Sequence, residues 1–394
     1  MNDLYSSRSP KRGSAVHLQL AGPAHVPGVR ITRVIGVLEP GGAQLSLLRL
    51  AEAQAALGVR TRLLAGDATP QGVALAQRFG VDPDVLQLHD QIDHSVRQWT
   101  PDPLFAQWLA AKLGSPDLVH AHMFGAWWAA AAATPRGLPI VASEHNALTW
   151  PLGDHTAAAG AAAGRVARFY FHGPDPAPFA DLLGVDRTRV LPGRSAITVN
   201  PVPRPGLVSP RITFTGRLRE DKGPDLLLGA IALMADPPLT YVVGDGPMQG
   251  ELRRLVAELK IKRRVHLAGW SNEPSRYVAG SRVHVVPSRD EAWSQSAVTA
   301  LALGVPVVAS DVDGLPTTLA GGRGLLVSPE PAAIAAGIQS VLDGAASLDL
   351  EAGRRYAAAF HPAEVASWYF GGYQQVLAEG GAARDTAPPP IPAG

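Results

Sequence analysis

Cysteine is absent from the 394 residues, so disulfides, thiolate nucleophiles and cysteine-held zinc are excluded by chemistry alone. No run of about 18 apolar residues is present to cross a bilayer. The first twenty residues, MNDLYSSRSPKRGSAVHLQL, lack the apolar core of a secretory signal. An excess of either charge is missing too: 35 Lys and Arg stand against 34 Asp and Glu, for a formal net charge of +1. Such a balance gives no pull towards nucleic acid or acidic membranes. The expectation is a soluble, cytoplasmic chain with no nucleic-acid partner and no integral membrane association. Gly-x-Gly-x-x-Gly does not follow the first predicted strand, which removes the nicotinamide dehydrogenase fingerprint.

What is present is a hydrophobic fraction of 46% spread over a length too great for one core. Short β-branched runs alternate with alanine- and leucine-rich helical patterns, as parallel βαβ units do. The predicted strands of the first half are 33–38, 62–65, 117–121, 140–143 and 168–171, with a helix over 44–56. Those of the second half are 211–215, 239–243, 264–267, 282–286 and 305–309. Between the halves, NPVPRPGLVSP (200–210) carries too much proline for a helix or central strand. The expected plan is an N-terminal arm (1–29), an acceptor-side domain (30–200), a linker (201–210) and a nucleotide-binding domain (211–345). Helices crossing back to the first domain (346–380) and a proline-rich tail (381–394) complete it. The fold class is α/β, with two Rossmann-like doubly wound domains facing across a cleft. Ligands of such sheets bind beyond the carboxyl ends of the strands.

Candidate chemistry falls at those ends. Glu39-Pro40-Gly41-Gly42-Ala43-Gln44 follows the first strand and precedes an amphipathic helix; it can be a phosphate cradle or an ordinary tight turn. Gly216-Arg217-Leu218 closes the first strand of the second half, with Lys222-Gly223 a few residues on. A fork-shaped guanidinium and a point-charge ammonium at that spacing can bracket a diphosphate, or form a solvated surface pair. Gly244-Asp245-Gly246-Pro247 after the next strand admits either a turn or a nucleoside contact.

Taken in order, these motifs continue through Leu267-Ala268-Gly269-Trp270, Val286-Pro287-Ser288, Glu291 and Gly304-Val305-Pro306-Val307-Val308-Ala309-Ser310 to Gly324-Leu325-Leu326-Val327. The series resembles the nucleotide-binding domain of family 4 glycosyltransferases. The first half fits more loosely, through Gly41-Gly42, Asp117-Leu118-Val119-His120-Ala121-His122 and Ser143-Glu144-His145-Asn146. The resemblance implies a GT-B fold and a retaining transfer from a nucleotide diphosphate sugar, with UDP taken on prevalence. It implies that Arg217 and Lys222 hold the diphosphate and stabilise its growing charge. Glu291 matches the first acid of a Glu-x7-Glu element and would meet the sugar hydroxyls, with Trp293, Ser294 and Gln295 lining the same pocket. His122 matches a histidine that contacts the donor sugar from the opposite domain; His120 receives no role. Gly41, Gly42, Gly216, Gly244, Asp245 and Gly246 complete the expected donor contacts.

Two positions depart from the family pattern. Thr299 stands where a second acid usually binds the ribose, and Ala292-Trp293-Ser294 replaces Gly-Phe-Gly. A hydroxyl makes a weaker, neutral hydrogen bond in place of a charge-assisted one. The family's reaction is thought to proceed on one face of the sugar, with a leaving phosphate oxygen taking the acceptor proton; neither metal nor cofactor is expected. Asp82-Pro83-Asp84 and Asp311-Val312-Asp313 are taken as turn residues. With two lysines in the first 200 residues, a lipid acceptor is disfavoured. Glu39, Glu144, Asp154 and Asp290 are expected to rim an acceptor side suited to a cationic small molecule, as in aminoglycoside pathways. A sugar-nucleotide 2-epimerase and a non-catalytic sugar-nucleotide-binding protein are the other readings of these residues. Oligomeric state leaves no mark in the sequence.

Overall fold

The computed structural model describes residues 28–87, 101–145 and 155–379. Most of the predicted arm, and the proline-rich tail, lie outside the described residues. The first half runs β1 (Arg30–Leu38), α1 (Gly42–Ala55), β2 (Arg60–Ala68), α2 (Pro70–Arg78), β3 (Pro83–Val85), α3 (Pro103–Lys112), β4 (Leu118–His122) and α4 (Phe124–Ala133). It continues with β5 (Ile140–Glu144), α5 (Thr156–Arg165), β6 (Arg168–Phe171), α6 (Pro176–Leu183) and β7 (Val190–Pro192). The second half runs β8 (Arg211–Thr215), α7 (Pro224–Leu233), β9 (Leu239–Val243), α8 (Gln249–Glu258), β10 (Val265–Gly269), α9 (Ser275–Val278), β11 (Val283–Val286) and α10 (Gln295–Ala302). Then follow β12 (Val307–Ser310), α11 (Leu315–Leu319), β13 (Leu325–Val327), α12 (Pro331–Leu342), α13 (Leu350–Ala358) and α14 (Pro362–Ala378).

Both sheets are parallel, in the orders β3-β2-β1-β4-β5-β6-β7 and β10-β9-β8-β11-β12-β13. Their inner strands are buried on both faces, which is why β1 ends in the apolar run Val34–Leu38, with Thr32 and Arg33 buried before it. Strand order reverses between β1 and β4 in one sheet and between β8 and β11 in the other. Those reversals open the crevice where ligands of doubly wound sheets bind. Proline serves as helix punctuation: Thr69, Asp102 and Asp175 cap α2, α3 and α6, and a proline follows each at the first helical position.

Three strands escaped the sequence expectation: β3, β7 and β13 have three residues each and sit at sheet edges. Pro83 and Pro192 lie within two of them, as prolines do in edge strands. Asp84 is therefore a strand residue, paired with Arg62 at 2.8 Å, and not the turn residue its triplet suggested. Asp313 does sit in a turn, at φ 45°.

The chain crosses between the sheets twice, and the crossings touch where Ile197 N–H donates to the Phe360 carbonyl at 2.8 Å. After α13 packs on α10, α14 returns to lie against α1. Its Val365, Tyr369, Tyr373 and Val376 join Ile31, Leu50 and Tyr170 in one buried cluster.

Candidate active site

The second-domain face is built from strand-end loops that glycine allows to touch. Gly244, at φ 148°, lies so close to the Gly216 carbonyl that a Cβ would come within 1.8 Å of it. Gly246, at φ 157°, is similarly tight against the Leu218 carbonyl at 2.5 Å. Leu218 N–H then donates to the Asp245 carbonyl at 2.8 Å. These glycines serve loop-on-loop packing, and the Asp245 carboxylate turns back to accept from Gly246 N–H at 2.7 Å. Arg217, between the packed loops, sends Nη2 across the cleft to Glu39 Oε1 (3.2 Å) and the Pro40 carbonyl (2.7 Å).

Lys222 sits beside the other half of the crevice. Gly223, at φ 61°, brings its loop so close to the Pro287 carbonyl that a Cβ would approach within 1.9 Å. Lys222 Nζ thereby reaches Glu291 Oε2 at 3.2 Å, Asp221 Oδ2 at 3.5 Å and the Asp290 carbonyl at 3.2 Å. Burial works against the ammonium charge, but Glu291, Asp221 and Asp290 outweigh it and hold its pKa above the ordinary value. Burial raises the pKa of Glu291, and the charge and hydrogen bond of Lys222 offset this only in part. Ser288 donates to Glu291 Oε2 at 3.3 Å, and Glu291 N–H donates to Asp313 Oδ2 at 2.9 Å. The ammonium thus faces carboxylates on more than one side, and a phosphate arriving there must displace one of these contacts.

Several residues expected to line the pocket are engaged elsewhere. The Trp293 ring packs on Phe360 at the crossing segment, 4.8 Å between centroids, because an indole at that position finds apolar cover under the second crossing. Ser294 is buried and its hydroxyl caps α10 by accepting from Ala297 N–H at 3.2 Å. Gln295 is spent across the cleft, accepting from Arg49 Nη1 at 3.2 Å and donating to the Gly42 carbonyl at 2.9 Å. Thr299 lies on α10, half-buried, with no hydrogen bond to its hydroxyl among the described residues. The acidic rim is corrected more sharply. Glu144 is fully buried at the end of β5, where it accepts from Trp127 Nε1 and His145 N–H. A carboxylate can be sealed there because those donors satisfy it. Glu39 is buried against Arg217, Asp290 lies on the second domain beside Lys222, and Asp154 lies outside the described residues.

On the first-domain face, Gly41 and Gly42 open α1 with Gly41 at the cap, and a Cβ on Gly41 would come within 2.9 Å of Arg217 Nη2. Beyond β4, β5 and β6 lies a feature no spacing in the sequence announced. His120, His122, His145 and His172 gather at the strand ends, with ring centroids 4.1 Å apart for His120 and His122 and 4.0 Å for His145 and His172. His122 is sealed, 1% exposed, with Nδ1 facing His145 Nε2 at 3.3 Å and Nε2 without a partner. His145 is the half-buried member of that pair. His120 Nδ1 meets Arg33 Nη1 at 3.1 Å and Tyr373 Oη at 2.8 Å. Arg33 can only donate, so Nδ1 accepts and the ring proton sits on Nε2, 2.8 Å from Ser143 Oγ. Tyr369 Oη meets His172 Nε2 at 3.1 Å. Burial first, then the neighbouring histidines and, for His120 and His122, the Arg33 guanidinium, push His120, His122 and His172 well below the usual histidine range, and burial takes His145 to about 3. Directly after His122, Met123 holds φ 74° and ψ 156°, a conformation costly for any side-chain-bearing residue. His145 and His172 went unassigned in the sequence because only the order β4-β5-β6 brings them to His122.

Two facing parallel sheets, with cations and a carboxylate at one switch point and a glycine-opened helix at the other, make up the two-domain GT-B architecture. Comparison with known proteins agrees. Residues 40–183 match the Glycosyltransferase Family 4 model and residues 209–344 the Glycosyl transferases group 1 model. A D-inositol 3-phosphate glycosyltransferase of Streptomyces scabiei is 29% identical over 92% of this chain and 89% of its own length. A second, from Jonesia denitrificans, is 35% identical over 38% of this chain and 39% of its own. A 2-deoxystreptamine glucosyltransferase of Streptomyces kanamyceticus is 34% identical over 38% and 41%. The chain therefore spans well under half the length of the latter two relatives. Among solved structures, Anabaena HepE in complex with UDP superposes with a TM-score of 0.73 at 19% identity, covering 88% of this chain and all of that one. Sucrose-phosphate synthase of Thermosynechococcus elongatus gives 0.72 at 22%, covering 89% and 99%. The chain belongs to the glycosyltransferases of GT-B fold.

Proposed function

We propose that the chain is a retaining hexosyltransferase that moves a sugar from a UDP-sugar to a hydroxyl of a small cyclitol. The observation that carries this is that Arg217, at the β8/β11 switch point, reaches across the cleft to Glu39 and Pro40 beside the Gly41–Gly42 helix opening, with the Lys222–Glu291 pair on the neighbouring loops of its own domain. Arg217 and Lys222 supply positive charge to the diphosphate as it leaves, which is where such charge lowers a barrier. The bond from the sugar's anomeric carbon to the phosphate oxygen breaks, and a bond to the acceptor oxygen forms on the same face. The acceptor proton passes to the leaving phosphate oxygen. Glu291 orients sugar hydroxyls from one side, and His145, the half-buried member of the histidine block, meets the sugar from the other with the sealed His122 behind it. No resident cofactor is called for.

The acceptor class rests on the relatives. Inositol 3-phosphate and 2-deoxystreptamine are both polyhydroxylated six-membered carbocycles, one anionic and one cationic. Of the acids invoked for a cationic acceptor, Glu144 is sealed and Glu39 is engaged by Arg217, so the reading is built on the ring and not on its charge. A thermal-shift panel of UDP-, GDP- and ADP-sugars, followed by transfer assays with myo-inositol, an inositol phosphate and 2-deoxystreptamine, tests the reading. NMR of the product should show the donor's anomeric configuration retained. Inversion, or no nucleotide response at all, would falsify it.

A further inference from the structure

Glu39 was expected on the acceptor rim; its contacts give it a different task. It opens the loop after β1 on the first domain, 178 residues from Arg217, yet the two side chains meet at 3.2 Å. The same Nη2 also donates to the Pro40 carbonyl at 2.7 Å. Arg217 makes no other hydrogen bond among the described residues, so one edge of its guanidinium is anchored and the Nε and Nη1 positions stay open. The anchor is itself rigid. Gln44 Nε2 donates to the Val37 carbonyl at 3.0 Å, Leu45 N–H donates to the Gly41 carbonyl at 2.9 Å, and Gly41 leaves no room for a side chain beside Nη2. Glu39 is 7% exposed, so its negative charge acts on the guanidinium with little screening from water.

We infer that Glu39 is a positioning residue, which aims the open edge of Arg217 at the donor diphosphate when the two domains meet. The inference rests on the donor reading above. An arginine on a glycine-rich loop has many rotamers. Fixing one edge with a carboxylate and a carbonyl leaves the free N–H groups pointing one way, before the phosphate arrives. Because the anchor belongs to the other domain, the aimed state exists only with the cleft closed. Charge stabilisation is thereby tied to closure.

A double-mutant cycle with donor hydrolysis as readout tests this. The assay follows release of the nucleoside diphosphate from whichever nucleotide sugar most stabilises the wild type, without any acceptor. Glu39→Ala is expected to lower kcat about 10-fold with a small change in donor KM. Glu39→Gln, which keeps the accepting oxygen, should recover most of that loss. In an Arg217→Ala background, Glu39→Ala should cost nothing further, because its effect passes through the guanidinium. Additive losses would overturn the inference, as would tighter UDP binding and undiminished kcat in Glu39→Ala, which would make Glu39 a competitor of the phosphate. Should Glu39→Ala fail to fold, Glu39→Gln and Glu39→Asp carry the same cycle. Failure of the donor reading looks different: the wild type itself would then show no stabilisation by any nucleotide sugar.

Discussion

The two faces of the cleft are made of opposite materials. On the second domain the site is a set of paired charges on glycine-bearing loops, part-exposed and aimed by backbone contacts between strand ends. On the first domain it is a buried block of neutral rings, four histidines wrapped by Ser143, Tyr369 and Tyr373 and backed by the buried guanidinium of Arg33. In the proposed reaction one face handles the charge that develops during transfer. The other offers neutral hydrogen-bonding atoms in a dry setting. Charge must be placed where it is needed and left accessible, whereas neutrality is maintained by burial, and the two requirements give the domains different chemical sensitivities.

Acid should expose that difference most. Histidines held below their ordinary pKa bind protons when unfolded that they refuse when folded. Stability is therefore full above about pH 6.5 and is lost as pH falls below it. Each histidine that stays neutral costs about 2 kcal/mol by pH 5. Among the described residues the first domain carries four such groups and the second one, His284, lowered to about 3 by burial. Thermal melts between pH 8 and pH 5 should show the first domain failing earlier, and His172→Asn should reduce the slope by one proton. Equal loss of both domains, or a flat profile, would break the contrast.

Removing charge from the second-domain face should be the next largest effect, this time on rate. Lys222→Ala takes away the ammonium and leaves Glu291 buried without its cation, so kcat should fall about 100-fold or more while the fold persists. Arg217→Ala should behave alike. Initial rates of donor turnover, set beside melting temperatures, measure both. A fall in stability that matches the fall in rate would reduce the pair to a structural ion pair.

The contrast also decides what could be seen in the sequence. The charged face was legible because each of its parts follows a strand and three of the four carry glycine: Gly216-Arg217, Lys222-Gly223, Gly244-Asp245-Gly246 and, without glycine, Glu291 all fall in loops after strands of the second sheet. The histidine block was not, because its members are spread over residues 120–172 and come together only through sheet order. Pattern reading also cannot tell a rim acid from a sealed one. Glu144 ends β5, and only Trp127 and His145 explain its burial. Trp293 misled in the same way, since nothing local reveals that Phe360 waits beneath it.

Glycine's part in the charged face can be tested directly. Gly244→Ala would force its Cβ against the Gly216 carbonyl from a backbone angle that disfavours any side chain. A loss of about 2 kcal/mol or more is expected. Nucleotide binding should weaken with it, because the loop carrying Arg217 must shift. Urea denaturation and UDP titration of the same preparation separate the two. Retained UDP affinity at reduced stability would show that the Gly244 loop supports the domain and not the site.

The smallest effect concerns the one position where the second-domain face lacks a charge its family resemblance calls for. Thr299 lies half-buried on α10, its hydroxyl unbonded among the described residues. A carboxylate there could accept hydrogen bonds from a ribose, worth about 1 kcal/mol beyond the neutral contact. Thr299→Glu should then tighten UDP binding roughly 5-fold, with a matching drop in donor KM and little change in kcat, since the ribose is bound alike before and during transfer. Calorimetric titration against UDP measures the gain. Weaker binding would mean that the ribose lies close enough for the added side chain to clash, so that Thr299 is fitted to this donor and is not a lost acid. No change would place the ribose beyond the reach of this turn of α10, and the charge-bearing face would then end at Glu291.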